Sequence, residues 1–280
     1  MVRPVSFLLL CLAVVFAAPL GAQGADIQAK LERAGRLASM ANDAGLRGDR
    51  NAEIGFYQKS VKLLDEVVAA NSNPSAEIVF GRREIQLSLG DAFLADKKPR
   101  LAVDVFGPMA SEIAGPSASI PADRGTRLHL ARALRGLWYS AFLAGDYARA
   151  RATLPRLIAV GRAMQAEEPT NSYLTRRLAE DLQGETFFRW VLQDEAGSRE
   201  TARETLALFR SLAEANPGSD EAMRSHFLWA YGAAELHGDD IALWREALVV
   251  GDQLVARRAM KAEHRPYLDA ARARMEKAGG

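Results

Sequence analysis

Five prolines recur along this chain on an almost even grid. Pro74, Pro121, Pro169, Pro217 and Pro266 are separated by 47, 48, 48 and 49 residues, in a sequence of 280 residues with eleven prolines. Such a period points to a repeated supersecondary unit, since a single irregular core has no need of the same breaker at equal intervals. Three of the five follow Asn or Glu, as Asn73-Pro74, Glu168-Pro169 and Asn216-Pro217. Proline suits the first turn of a helix, where its missing N–H has no intrahelical partner. Each grid proline is therefore expected to open a helix. One period before Pro74 lies Asp26, so residues 26–265 hold about five units.

Each unit also has a break near its middle: Gly48-Asp49, Asp96-Lys97-Lys98-Pro99, Gly145-Asp146, Gly197-Ser198 and Gly238-Asp239. Glycine takes the left-handed conformation that ends one helix, and the Asp or Ser after it caps the next. The flanks carry helical periodicity, as in Leu128, Ala131, Leu134, Trp138 and Ala141, or Ile54, Tyr57, Val61, Leu64 and Val68. No comparable stretch alternates with the period of a strand. The expected fold is all-α, an α-solenoid of about five antiparallel helix hairpins, because one hairpin buries its apolar face only against its neighbours. Residues 266–280, rich in charge, are expected to form a C-terminal capping helix. Pro155 is expected to kink a second helix. The fourth unit is expected to carry extra residues around Trp190 to Gly197.

The second unit carries the sharpest motif. Leu89-Gly90 is followed by Phe93, then Ala102, Phe106 and Met109; Leu137, Gly145-Asp146-Tyr147, Ala150 and Leu154 repeat the spacing in the third. This pattern resembles the tetratricopeptide repeat. The resemblance implies that Gly90 and Ala102 let two helices approach while Phe93 and Phe106 fill the seam. The usual unit is about 34 residues, so a period of 48 is similar to the longer tetratricopeptide-like units of bacterial arrays.

The N-terminus reads as a signal peptide over residues 1–25. Arg3 gives a basic start, Val5 to Ala18 is apolar except for Ser6, and Gly21, Ala22, Gly24 and Ala25 offer cleavage positions. The apolar run is shorter than the roughly 20 residues of a spanning helix, so no stable membrane insertion is expected once it is removed. Cys11 is the sole cysteine, and lipidation there is disfavoured because Leu10 stands where lipoproteins carry a small residue. A periplasmic or secreted protein without disulfides is the expectation. Removing Arg3 from the 36 basic residues leaves 35 against 35 acidic ones. A neutral chain has no overall field to steer nucleic acid, so no nucleic-acid partner is expected.

No catalytic motif, phosphate loop or dinucleotide fingerprint is present. Of the four histidines, His226 and His237 share a helix face but lie roughly 16 Å apart along it; neither pairs with His129 or His264 in ligand spacing. No metal, no cofactor and no catalytic residue are expected, and His129, His226, His237 and His264 are read as surface or packing residues. Glu167-Glu168 and Asp239-Asp240 are read as helix caps.

The tetratricopeptide resemblance implies instead a non-enzymatic scaffold that holds a partner protein or extended peptide on the concave face of the first helices. Carried over by position, the partner-binding candidates are Glu84, Leu87 and Asp91 in the second unit. Arg132, Arg135, Tyr139 and Phe142 follow in the third, and Ser225, Leu228 and Glu235 in the fifth. Arg132, Arg135 and Tyr139 are the most binding-like, since arginine and tyrosine combine polar contacts with broad area; the plainer alternative is that the two arginines form a solvated face or intrahelical pairs. Two other readings stay open: a small-ligand receptor with an aromatic pocket near Tyr139, Phe142 and Phe188, and an accessory subunit of a cell-wall or polysaccharide-processing enzyme.

Overall fold

The computed structural model describes residues 22–116 and 119–279. Among the described residues there is no strand, and eleven α-helices follow one another: α1 (Ala22–Leu46), α2 (Arg50–Ala70), α3 (Ala76–Ala95), α4 (Pro99–Ala114), α5 (Arg124–Leu143), α6 (Tyr147–Glu167), α7 (Ser172–Val191), α8 (Glu195–Ala215), α9 (Asp220–Leu236), α10 (Ile241–Ala256) and α11 (Arg265–Gly279). A short 3₁₀ turn, Ala262–His264, precedes α11. The apolar run and Cys11 of the expected signal peptide lie outside the described residues, and α1 already starts at Ala22, within the segment expected to carry the cleavage position. No helix among the described residues is long and apolar enough to cross a membrane.

Contacts divide the chain into two compact units, with the boundary inside α6 between Val160 and Gly161. In the first unit α1 to α4 each pack on the next helix, and α3 also reaches α5, the first helix of the following hairpin. In the second unit α7 to α11 likewise pack in succession. The architecture is thus all-α and built from consecutive helix pairs.

The turns inside the hairpins show how local sequence makes the pairs. Gly48, Lys97, Gly145 and Gln193 adopt φ of 79°, 58°, 77° and 61°. In each case the next amide reaches back five residues: Asp49 N–H to Ala44 O, Lys98 to Phe93, Asp146 to Ala141 and Asp194 to Arg189, at 2.8–2.9 Å. This is the Schellman closure, which satisfies carbonyls at the helix end and fixes the chain reversal. Asp49, Asp146 and Asp194 then cap the second helix by accepting from Ala52, Arg149 and Gly197 N–H, while Pro99 opens α4. The fifth turn is different: His237 ends α9, and Asp240 rather than Asp239 caps α10.

Two expectations about these boundaries need correction. The fourth break is at Gln193-Asp194, not Gly197-Ser198, which lie buried inside α8. Placed there, α7 and α8 have ordinary lengths of 20 and 21 residues, so the unit carries no insertion. The grid prolines also differ in role. Pro74, Pro121, Pro169 and Pro217 precede the caps Ser75, Asp123, Asn171 and Ser219 instead of entering the helix. A proline there ends the approach of the previous helix, and the short polar side chain after it accepts the first free N–H groups. Pro266 does lie in the first turn of its helix, α11.

Close packing follows the tetratricopeptide-like logic. The Phe106 ring of α4 lies against both Gly90 of α3 and Gly136 of α5, where a Cβ would collide with it. The ring is fully buried, and Ala102 beside it on α4 has no exposed surface. In the second unit the same device places Phe227 of α9 and Leu268 of α11 against Gly251 of α10, with Cβ clashes at 2.9 and 2.6 Å. Glycine at these seams lets a ring touch backbone, so the gain is dispersion contact across the whole ring face.

Candidate functional site

The candidate residues on the first helices separate into three groups once placed. Glu84 and Arg132 meet each other. Glu84 Oε1 accepts from His129 Nε2 at 2.8 Å and also from Arg132 Nη1. These residues lie on α3 and α5, so the carboxylate ties the first helices of successive hairpins. Burial pushes the Glu84 carboxyl up, but the His129 hydrogen bond and the Arg132 charge outweigh it and hold the group below its ordinary value. The Arg132 guanidinium is therefore spent inside the molecule, across hairpins and not as an intrahelical pair. Arg135 is half-buried, and Asp91 is exposed on α3.

Leu87 is a correction. It is 2 % exposed and belongs to the core, because α3 packs on α2, α4 and α5 together and has a narrower free face than periodicity alone suggests. The α9 candidates are also not a cluster. Ser225 Oγ donates to the Glu221 carbonyl of its own helix, Leu228 packs on the Phe227 cluster, and Glu235, ten residues beyond Ser225, is about 15 Å further along the helix.

Tyr139 and Phe142 form the third group, and here the surface is unusual. Trp138 stacks on Phe142 with centroids 6.3 Å apart, Tyr139 tilts against Trp138 at 6.1 Å, and Phe142 meets Tyr147 at 5.8 Å. Tyr139, Leu143 and Tyr147 are 45 %, 47 % and 46 % exposed. Four rings and a leucine thus gather where α5 turns into α6. The third member of the expected aromatic pocket, Phe188, is buried in the core of its own unit; Phe187 is the exposed neighbour and stacks on Trp190 at 6.0 Å. Phe187 and Trp190 each stand 48 residues after Tyr139 and Phe142, so the exposed aromatic pair recurs at the repeat period.

A concave feature in the second unit was missed by the first-helix rule. A cleft of about 570 Å³ opens between the second helices α8 and α10. Its floor is Met223 and His226 of α9 with Val250 of α10. At its base Glu246 accepts from His226 Nε2 at 2.7 Å and from Arg210, whose Nη2 reaches both carboxylate oxygens at 2.7 Å. Burial pushes Glu246 up, and the His226 and Arg210 hydrogen bonds with the Arg210 charge hold it below its ordinary value. No group of three or more His, Cys, Asp or Glu able to hold a metal exists among the described residues.

The remaining histidine of interest is buried. Ser198 Oγ donates to the Thr186 carbonyl at 2.9 Å, which leaves His237 Nε2 at 3.2 Å as the donor to Ser198. The ring's Nδ1 is buried and unpartnered. Desolvation first, then the Arg199 charge, lowers its pKa from the ordinary 6.5. Ser and His here join α7, α8 and the end of α9; neither is open to a substrate.

No protein-family model matches this chain, and no curated protein matches it at a significant level. Solved structures with a similar fold include a MamA protein, at 15% identity and a TM-score of 0.44 over 80% of this chain and 95% of that one. Another is a single-substitution form of the nearly identical TPR-like repeats of a putative kinesin light chain from Podosopora anserina, at 17% identity and a TM-score of 0.42 over 81% and 99%.

Proposed function

We propose that this chain is an exported, non-enzymatic helical-repeat scaffold that binds a partner protein. The observation that carries the reading is the ring cluster at the α5–α6 turn. Three large apolar side chains there stay nearly half exposed, although a soluble surface normally avoids gathered aromatic groups unless they meet something. Tyrosine and tryptophan give broad contact area with little side-chain entropy to lose, which is why they dominate interface energetics. Export is supported by the apolar run Val5 to Ala18 behind Arg3.

Tyr139→Ala with Tyr147→Ala is expected to abolish capture of a reproducible partner from envelope extract, while the thermal unfolding curve moves little because both rings are at the surface. Retained capture by the double variant would remove this surface from the account. For export, residues 1–25 fused to alkaline phosphatase, which folds only in an oxidising compartment, are expected to give active enzyme. Absence of activity with the fusion intact in the cytoplasm would reject it.

A further inference from the structure

We infer that the cleft of the second unit is a docking groove for an acidic segment of a partner protein that carries a central apolar residue. The walls are second helices, and one of them presents a regular stripe. Arg245, Val249, Gln253 and Arg257 follow each other at four-residue steps along α10 and its C-cap, and all line the cleft. Twelve residues at 1.5 Å rise place the two arginines about 18 Å apart with Val249 between them. Val249 is 50 % exposed, a β-branched apolar side chain left open beside the buried floor of Met223 and Val250.

The charge balance selects the sign of the occupant. Glu246 is saturated from within by His226 and the two-pronged Arg210 contact. Among the described residues no hydrogen bond or ion pair engages Arg245. Arg257 donates one Nη1 bond to the Pro217 carbonyl at 2.5 Å and faces no carboxylate partner. Against these two cations the cleft sets one further acid, Glu214, on the opposite wall. Two guanidiniums that flank an apolar step present forked donors to carboxylates, and a segment with acids on either side of an apolar anchor satisfies both while covering Val249. A basic or purely apolar segment would leave Arg245 and Arg257 desolvated without a counter-charge, which is costly.

This groove and the ring cluster use different units and different residues, so either can fail alone. The test uses the full mature chain and a labelled hexapeptide, Glu-Asp-Leu-Leu-Asp-Glu, whose extended length of roughly 20 Å matches the stripe. Fluorescence anisotropy is expected to show saturable binding that weakens with salt. The peptides with Lys in place of the acids, or Ser in place of the leucines, are expected to bind at least about tenfold more weakly. Arg245→Glu is expected to weaken the acidic peptide about tenfold and Val249→Ser about fivefold. Both positions are exposed, so circular dichroism and the unfolding midpoint are expected to stay in place. No saturable binding of the acidic peptide, equal binding of the Ser peptide, or an Arg245→Glu affinity within twofold of the parent with the fold intact would each overturn the proposal. Tyr139→Ala with Tyr147→Ala is expected to leave hexapeptide binding unchanged, which separates this groove from the ring cluster.

Discussion

The two units solve one problem with the same chemistry placed on different faces. In the first, a half-buried carboxylate on a first helix, Glu84, accepts from a histidine and an arginine of the next first helix, α5. In the second, Glu246 sits on a second helix and takes its histidine from α9 and its arginine from α8. The grip also differs. Arg132 makes one contact through Nη1, whereas Arg210 binds both oxygens of Glu246. A bidentate guanidinium fixes orientation as well as distance. The lesson is that a repeat can move its electrostatic tie from one face to the other without altering the ring-on-glycine seams, and the face around the tie acquires a different character. On α5 the rings beyond the tie lie at the surface; at α8 and α10 the tie is the base of a cleft.

The largest effect tests whether the seams are indeed equivalent. Phe106→Ala and Phe227→Ala are each expected to cost about 3–5 kcal/mol in denaturant unfolding, since both rings rest on glycine backbone and nothing can collapse into the space. A loss near 1 kcal/mol in one unit alone would break the equivalence. The ties come next. Glu246→Gln is expected to cost about 2 kcal/mol and Glu84→Gln about 1 kcal/mol, because the first loses a two-pronged charged contact and the second a single-pronged one, with both arginines about equally exposed. A reversed order would show that contact geometry does not set the difference.

Acid then sharpens the comparison. Both carboxyls titrate below their ordinary value of 4.5 in the folded chain. Their contribution is complete above that value and is lost as pH falls through the depressed folded values. Glu246→Gln is expected to flatten the fall in melting temperature below pH 4.5; an unchanged acid slope would remove Glu246 as a source. The smallest effect concerns His237. Its folded pKa lies below 6.5, so its neutral form favours the fold, and stability is lost as pH drops from 6.5 through the folded value. His237→Gln keeps a donor for Ser198 and is expected to lessen that loss in the pH range just below 6.5; an identical profile would place the titration elsewhere.

The helix pairs were legible because the signals that make them are local. Gly48-Asp49 and Gly145-Asp146 state a left-handed residue and a cap in adjacent letters, and Lys98-Pro99 states a helix start. The fourth turn was hidden because Gln193 takes the left-handed position without being a residue that favours it, while the more suggestive Gly197 lies buried in the first turn of α8, where its N–H donates to Asp194. Gly90 and Phe106 were readable as a seam, but that Phe106 would also lie on Gly136 was not, since the sequence does not state how far α4 reaches across α5. The site was less legible for the same reason. Helical period identifies a face, not which neighbour covers it. That uncertainty exchanged Phe187 for Phe188, made Leu87 a surface residue, and gave no warning that α8 and α10 diverge enough to open a cleft.

The hairpin reversal carries a practical consequence. Backbone amides hold it, and Gly, Lys and Gln all occupy its left-handed position, so the side chain there is dispensable. Lys97 and Gln193 both face solvent. In a chain made without residues 1–25, a thiol placed at either position would stand alone in the sequence. Each would accept a spectroscopic label at a backbone-fixed corner, one in each unit, and so report on the unfolding of its own unit separately from the other.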